Sequence, residues 1–144
     1  MNSKDLLQLT EQFGAPLYVY DADKITSQYK KLTNAFKGVS SLKLNYAAKA
    51  LSNISILRLL NSLGSGLDTV SIQEVKLGLL AGFKPESIIF TPNGVSLEEI
   101  EEAAALGGQV NIDNLSIPKS LLGISIQNLA LASTKSHIYC VLWN

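Results

Sequence analysis

The chain has 144 residues, of which 47% are hydrophobic, and it carries 12 basic and 12 acidic residues. This composition fits one globular domain with a real core, and the balanced charge excludes attraction to nucleic acid or to an anionic membrane surface. No apolar run approaches the ~20 residues of a membrane span, so we expect a cytoplasmic protein with neither nucleic acid nor membrane as a partner. The lone Cys140 excludes an intrachain disulfide and does not make a zinc site by itself.

The segment 1–38 is predicted to form a helix-strand-helix lead-in. Apolar residues at helical spacing up to Phe13 predict the first helix. The Ala-Pro pair that follows favours extended backbone, so a strand is predicted at 17–20. Asp21 or Asp23 can cap the second helix, which continues at helical spacing towards residue 38.

The segment 39–116 alternates strands with helices and is assigned as four βα units. The predicted strands are Leu42–Ala48, Leu67–Val70, Ser87–Thr91 and Gln109–Ile112, and the helices between them lie at about Asn53–Leu63, Gln73–Ala81 and Ser96–Leu106. Ser96 and Glu99 have the spacing of a capping box at the start of the third helix. Strands joined by helices in this way imply parallel pairing with right-handed crossovers.

Two architectures fit four parallel strands: an open doubly wound sheet, or the first half of an eight-stranded (β/α)8 TIM-type barrel, which needs about 250 residues to close. The first strand favours the barrel. One side of it holds Leu42, Leu44, Tyr46 and Ala48, and the other holds Lys43, Asn45, Ala47 and Lys49. A strand covered by helices on both faces would be apolar on both, so a polar row suits a barrel interior that opens to a ligand.

Lys49 lies at the carboxyl end of the first predicted strand, where barrel active sites are built. It is a candidate Schiff-base nucleophile. A lysine amine acts in this way only when desolvation or a nearby cation favours its neutral form. Position alone favours a solvated lysine at a strand end, and the sequence around it reverses that preference.

Several ordered motifs resemble the amino-terminal region of a known enzyme family. They are Phe13–Asp21, Tyr46–Ala50, Gly64–Ser71 with Glu74, Ala81–Phe83, Ile88–Gly94 and Asn111–Ser116. The family is that of the pyridoxal-phosphate-dependent group IV decarboxylases with an alanine-racemase-like barrel, and the likeness is greatest to the diaminopimelate decarboxylases. The match covers roughly residues 5–116 in the right order, which is a specific signal.

The resemblance implies an enzyme of lysine biosynthesis, a carboxy-lyase that converts meso-2,6-diaminopimelate to L-lysine. It implies that Lys49 is the catalytic lysine and binds pyridoxal 5'-phosphate as a Schiff base, and that the cofactor takes up the electrons left when carbon dioxide departs. Asp68 matches an acidic position near the cofactor lysine in related barrels. A strand-end carboxylate in a turn is an equally good interpretation of Asp68. The full-length family is homodimeric.

Other polar residues near the motifs receive structural interpretations. Ser71 and Glu74 are expected to cap a helix, and Asn93-Gly94 is expected to form a turn. The acidic run at Glu98, Glu99, Glu101 and Glu102 is expected to face solvent, and no metal site is predicted.

The resemblance ends at Ser116, so 117–144 is predicted to be a divergent tail. Our hypothesis for the tail is a slip of the reading frame, and His137 and Cys140 within it receive no role. The family supplies its ring-stacking histidine, phosphate loop, pyridine-nitrogen acid and dimer-site residues after this point. We therefore expect a truncated amino-terminal half of the barrel, with little or no decarboxylase activity by itself.

Three alternatives remain open. The chain could belong to a related decarboxylase that acts on ornithine, arginine or carboxynorspermidine, because the Lys49 region is shared among them. It could be a non-catalytic cofactor carrier of the same fold, although the strand predicted before the barrel favours the two-domain decarboxylases. It could also be a non-catalytic remnant that is inert or only binds other proteins.

Overall fold

The computed structural model describes residues 2–39, 42–112, 129–131 and 139–140. Within these ranges the helices are α1 (Ser3–Phe13), α2 (Ala22–Ala35), α3 (Ile54–Ser62), α4 (Ile72–Leu80) and α5 (Leu97–Ala105). The strands are β1 (Asn45–Ala47), β2 (Gly66–Thr69), β3 (Ile88–Phe90), β4 (Gln109–Ile112), β5 (Leu129–Leu131) and β6 (Tyr139–Cys140). Short 3-10 turns cover Ala48–Ala50 and Pro85–Ser87.

The described strands form one parallel sheet in the order β5-β4-β3-β2-β1-β6. The strands from β1 to β5 therefore lie side by side in the order in which they occur in the chain. In register, Ala47 of β1 pairs with Asp68 of β2, Asp68 pairs with Ile89 of β3, and Ile89 pairs with Gln109 of β4. These paired residues lie on one face of the sheet, because side chains alternate along each strand.

Among the described residues, one hydrophobic core covers the opposite face of the sheet. Its strand residues include Leu44, Tyr46, Leu67, Ile88, Phe90 and Val110, and its helix residues include Tyr29, Leu57, Leu60, Val75, Ile100 and Ala103. Burial of each large apolar side chain contributes about 1.5–3 kcal/mol. Helices α2 to α5 thus pack on one face, as in a barrel, whereas a doubly wound sheet carries helices on both faces.

The inner face of the sheet is the polar one, as the first strand predicts. It carries Asn45, Asp68, Gln109 and Asn111, together with Ile89, which is fully buried. Asn45 is only 1% exposed, and among the described residues neither polar atom of its amide has a hydrogen-bond partner. An unpaired buried amide of this kind is uncommon and costly in a folded protein.

Three sequence predictions about strands need correction. The first strand spans Asn45–Ala47 and not Leu42–Ala48, because the chain turns into a 3-10 helix at Ala48. Residues 17–20 form no strand: among the described residues no strand lies beside them, and Tyr18 is 87% exposed. An extended segment becomes a strand only when its backbone groups pair. The tail, for which no strand was predicted, contains β5 and β6.

The predicted helix starts are confirmed by their hydrogen bonds. Ser96 Oγ accepts from the Glu99 backbone N–H at 3.3 Å, and Glu99 Oε2 accepts from the Ser96 backbone N–H at 3.2 Å, which completes the capping box. Asp21, one of the two predicted caps, accepts from the Lys24 N–H at 3.0 Å and begins α2. In the described part of the chain, no helix is both long and apolar enough to cross a membrane.

Candidate active site

Lys49 lies in the 3-10 turn directly after β1, at the carboxyl edge of the sheet. Ala47 and Ala48 before it are buried at 3% and 0% exposure, whereas the Lys49 side chain is exposed. Strand β1 therefore ends in buried small residues, and the first charged group beyond them is the amine. This is the edge at which the sequence predicted the site.

Tyr46 supports the turn that carries Lys49. Its ring packs in the core, and its hydroxyl donates to the backbone oxygen of Leu51 at 3.2 Å, across the 3-10 turn. Burial, and then the nearby Tyr20, raise the pKa of the Tyr46 hydroxyl, which therefore stays protonated and able to donate. This hydrogen bond thus links Tyr46, in the core before the turn, to Leu51, the residue directly after it.

A Tyr46→Phe variant is expected to lose about 0.5–1.5 kcal/mol of stability, because it removes this hydrogen bond and keeps the ring. Urea unfolding of the two proteins measures the difference. Thr10→Val is a suitable control, because the Thr10 hydroxyl bonds only within the exposed helix α1, to Leu6 and Leu7. An unchanged unfolding midpoint in Tyr46→Phe would contradict the role given to the hydroxyl.

Asp68 lies on β2 at the same carboxyl edge and is half-buried on the inner face. Its Oδ1 accepts a hydrogen bond from the Thr91 hydroxyl at 2.9 Å. Burial raises the pKa of the Asp68 carboxyl, and this effect exceeds the opposing influence of the Thr91 hydroxyl and of the Lys49 charge. The negative charge of Glu74 adds to the upward direction. Asp68 and Lys49 are therefore close enough to interact electrostatically.

The raised pKa of Asp68 predicts a specific pH dependence of stability. The folded state holds the proton more tightly than the unfolded state, so this group favours folding most below its ordinary value of 3.8. That contribution is lost as the pH rises through the pKa of the folded state. An Asp68→Asn variant should therefore gain stability relative to the parent as the pH rises from below 3.8. Urea unfolding across this range tests the sign, and a constant difference would contradict it.

The remaining polar candidates have the structural roles that the sequence favoured. Ser71 Oγ accepts from the Glu74 backbone N–H at 3.3 Å and caps α4, while Glu74 Oε2 accepts from the Val70 N–H at 2.8 Å. Asn93 and Gly94 form an exposed bend in which Gly94 has φ of +68°. In the acidic run, Glu102 pairs with Lys76 at 2.8 Å on the surface.

Two side chains beside Asp68 were missed by the sequence reasoning. Thr91 donates to Asp68, and Asn111 Nδ2 donates to the Thr91 hydroxyl oxygen at 3.3 Å. Both residues lie within motifs that carry the family resemblance, but no role was assigned to them from the sequence alone. The alternation of β4 was the available signal, because Gln109 and Asn111 share the polar inner face while Val110 is buried in the core.

Residues 22–125 match the family model described as pyridoxal-dependent decarboxylase, pyridoxal binding domain. The chain belongs to this family. The cofactor of these pyridoxal-dependent decarboxylases is pyridoxal phosphate, as the resemblance implied. The match continues beyond residue 116, where the resemblance seen in the sequence ends. The division of the chain into the segments 1–38, 39–116 and 117–144 stays a prediction.

Curated relatives of this chain include diaminopimelate decarboxylases. That of Methanothermobacter thermautotrophicus is 35% identical over 145 residues, which cover 95% of this chain and 34% of the relative. That of Helicobacter pylori strain J99 is 48% identical over 99 residues, which cover 69% of this chain and 24% of the relative. The chain thus spans about a third or less of the length of these relatives.

Solved structures show the same fold. Diaminopimelate decarboxylase of Helicobacter pylori complexed with L-lysine matches with a TM-score of 0.70 at 41% identity, covering 83% of this chain and 32% of that one. Lysine/ornithine decarboxylase of Vibrio vulnificus complexed with putrescine matches with a TM-score of 0.74 at 31% identity, covering 82% and 32%. The predicted fold class, the amino-terminal half of an alanine-racemase-like TIM-type barrel, is confirmed.

The groups at the carboxyl edge fit an aldehyde cofactor. Lys49 supplies an exposed primary amine, Asp68 supplies a half-buried carboxylate beside it, and Ala47 and Ala48 leave the strand end free of bulk. A primary amine is the group that bonds covalently to an aldehyde. An exposed primary amine at this edge therefore fits covalent attachment of an aldehyde such as pyridoxal phosphate.

Proposed function

We propose that this chain is the cofactor-anchoring part of a pyridoxal-phosphate-dependent diaminopimelate decarboxylase, a carboxy-lyase that converts meso-2,6-diaminopimelate to L-lysine and carbon dioxide. The observation that carries the proposal is the exposed Lys49 amine in the turn at the carboxyl edge of the sheet, where Asp68 also lies on the neighbouring strand. Support comes from family membership and from diaminopimelate decarboxylases that are 35% and 48% identical.

Lys49 would hold the cofactor covalently through its Nζ. When bound, pyridoxal phosphate supplies an electron sink for the bond to the departing carboxylate. Asp68, on the neighbouring strand at the same edge, interacts electrostatically with Lys49. The buried Ala47, on the inner face, keeps water away from the base of the site.

Three further points belong to the same proposal. The whole protein acts in the cytoplasm as a homodimer, and neither nucleic acid nor membrane is a partner. Its substrate is a small amino acid, which agrees with the L-lysine in the Helicobacter pylori relative. Residues 1–38 lead into the barrel, 39–116 supply its first four βα units, and 117–144 form a divergent tail.

A second candidate is a decarboxylase of lysine or ornithine. The Vibrio vulnificus lysine/ornithine decarboxylase matches this chain with a slightly higher TM-score, 0.74 against 0.70, but with lower identity, 31% against 41%. Residues that contact one substrate and not the other would separate the two candidates. The Lys49 region does not separate them, because both kinds of decarboxylase share it.

Two chimaeras test the proposal. Residues 22–112 of this chain replace the matching residues of the Helicobacter pylori diaminopimelate decarboxylase in one, and of the Vibrio vulnificus lysine/ornithine decarboxylase in the other. Each is assayed for carbon dioxide release from its host's own substrate, with Lys49→Ala as the matched control. We expect Lys49-dependent release from meso-diaminopimelate in the first and much weaker activity in the second. Activity restricted to the second would favour the other decarboxylase.

A further inference from the structure

A chain of side-chain hydrogen bonds crosses three strands on the inner face and ends at Asp68. Gln109 Nε2 donates to Asn111 Oδ1 at 3.3 Å, and Asn111 Nδ2 donates to Thr91 Oγ1 at 3.3 Å. Thr91 Oγ1 then donates to Asp68 Oδ1 at 2.9 Å. The first hydrogen bond lies within β4, the second joins β4 to the end of β3, and the third joins the end of β3 to β2.

Each of these three hydrogen bonds is donated in the direction of Asp68. An ionised carboxylate only accepts hydrogen bonds, so Thr91 must use its single hydroxyl hydrogen on Asp68. The Thr91 oxygen is then left to accept from the Asn111 amide nitrogen, and Asn111 Oδ1 is left to accept from Gln109. Hydrogen bonds aligned in this way polarise one another and strengthen the last one.

The backbone holds Thr91 firmly in this position. Its N–H donates to the backbone oxygen of Thr69 at 2.8 Å, which continues the pairing of β2 and β3 beyond the last residue of β3. Asn111 is only 8% exposed and lies on β4 next to β3. The donors are therefore aligned before any ligand binds.

We propose that Thr91 and Asn111 are positioning residues that hold the Asp68 carboxylate ionised and oriented beside Lys49. This deepens the function proposed above and rests on it for the role of Lys49. Neither residue needs to touch the cofactor or the substrate. They act through Asp68 alone.

Opposing influences act on the pKa of the Asp68 carboxyl, and the hydrogen bonds from Thr91 and Asn111 favour its charged form. Burial and the negative charge of Glu74, on α4, favour the neutral carboxyl. The Thr91 hydroxyl and the Lys49 charge, in the turn after β1, favour the carboxylate. Hydrogen bonds to the charged form lower a carboxyl pKa. Without the Thr91 hydroxyl, Asp68 would keep its proton to a higher pH and attract Lys49 less strongly.

The test is a pH titration of the Asp68 carboxyl carbon by NMR in the 144-residue protein without cofactor. Asp68→Asn identifies the resonance by removing it. Thr91→Val removes the hydroxyl and keeps the shape, while Thr91→Ser keeps the hydroxyl. Asn111→Leu removes the donor behind Thr91 and carries the test if Thr91→Val does not fold.

The Asp68 titration midpoint is expected to move up in Thr91→Val, to move up by less in Asn111→Leu, and to stay in place in Thr91→Ser. An unchanged midpoint in both Thr91→Val and Asn111→Leu would overturn the proposal. An equal shift in Thr91→Ser would also overturn it, because packing and not the hydroxyl would then be responsible. If Thr91 only packed against its neighbours, loss of its hydroxyl would not change the titration midpoint of Asp68.

Labelling of Lys49 separates this proposal from the proposed function. The same variants are treated with pyridoxal phosphate and borohydride, and the labelled lysine is located by peptide mapping. If the parent protein shows no preference for Lys49, the proposed function fails, while the NMR shifts still decide whether Thr91 and Asn111 control the ionisation of Asp68. If Lys49 is labelled but the Asp68 midpoint never moves, only the role given to Thr91 and Asn111 is overturned.

Discussion

A Lys49→Ala variant is expected to lose the saturable capture of pyridoxal phosphate that we expect of the parent chain. The reason is covalent: the aldehyde needs a primary amine at the carboxyl edge of the sheet, and Lys49 is the amine that lies beside Asp68 there. Titration of the protein with the cofactor, followed by absorbance of the bound form, measures this loss. Only weak, unsaturable labelling of surface amines should remain.

Lys43 offers a matched control for this variant. It lies on the same side of the first strand segment but at the opposite end, where its Nζ donates to the backbone oxygen of Glu86 at 3.1 Å. Lys43→Ala should therefore capture the cofactor like the parent chain. Lys49→Arg keeps the positive charge beside Asp68 and removes the primary amine, so it should fail like Lys49→Ala. Normal capture by either Lys49 variant would contradict the assignment.

A Gly66→Ala variant is expected to lose about 1–3 kcal/mol of stability through overpacking. Gly66 pairs in register with Asn45, and a methyl group at Gly66 would overlap the side-chain oxygen of Asn45. It would also lie 3.1 Å from the backbone oxygen of Ser87, which cannot move without disturbing the sheet. Urea unfolding of the variant against the parent measures the loss.

Asn45 provides the second half of this test. Its amide is buried without a hydrogen-bond partner among the described residues, which costs about 1–3 kcal/mol, so Asn45→Ala should lose no stability. Added to Gly66→Ala, it should recover most of the loss, because the overlap disappears. Gly38→Ala is the control, since a methyl group there meets open space. Independent, additive effects of the two changes would contradict the overlap.

The sequence predicted the repeating part of the fold well because its signals are local. Predicted strand Gln109–Ile112 coincides with β4, and Ser96 and Glu99 begin α5 as their spacing requires. The alternation around Tyr46 also identified the core face correctly. These features depend on neighbouring residues in the chain, so the pattern along the sequence contains them.

Features that depend on distant partners were harder to predict. The segment 17–20 has the pattern of a strand, but a strand also requires a neighbour, and the described residues supply none. The link from Asn111 through Thr91 to Asp68 joins residues from three strand regions. Each of these polar residues has an ordinary local explanation, and only the register of the sheet brings them together.

The central claim, that Lys49 anchors the cofactor, is tested most directly by mapping where pyridoxal phosphate becomes attached. The parent chain is incubated with limiting cofactor, reduced with borohydride, digested and analysed by mass spectrometry. We predict that the label is concentrated on the peptide that holds Lys49 and disappears from it in Lys49→Arg. Label spread evenly over the exposed lysines, with no preference for Lys49, would contradict the account.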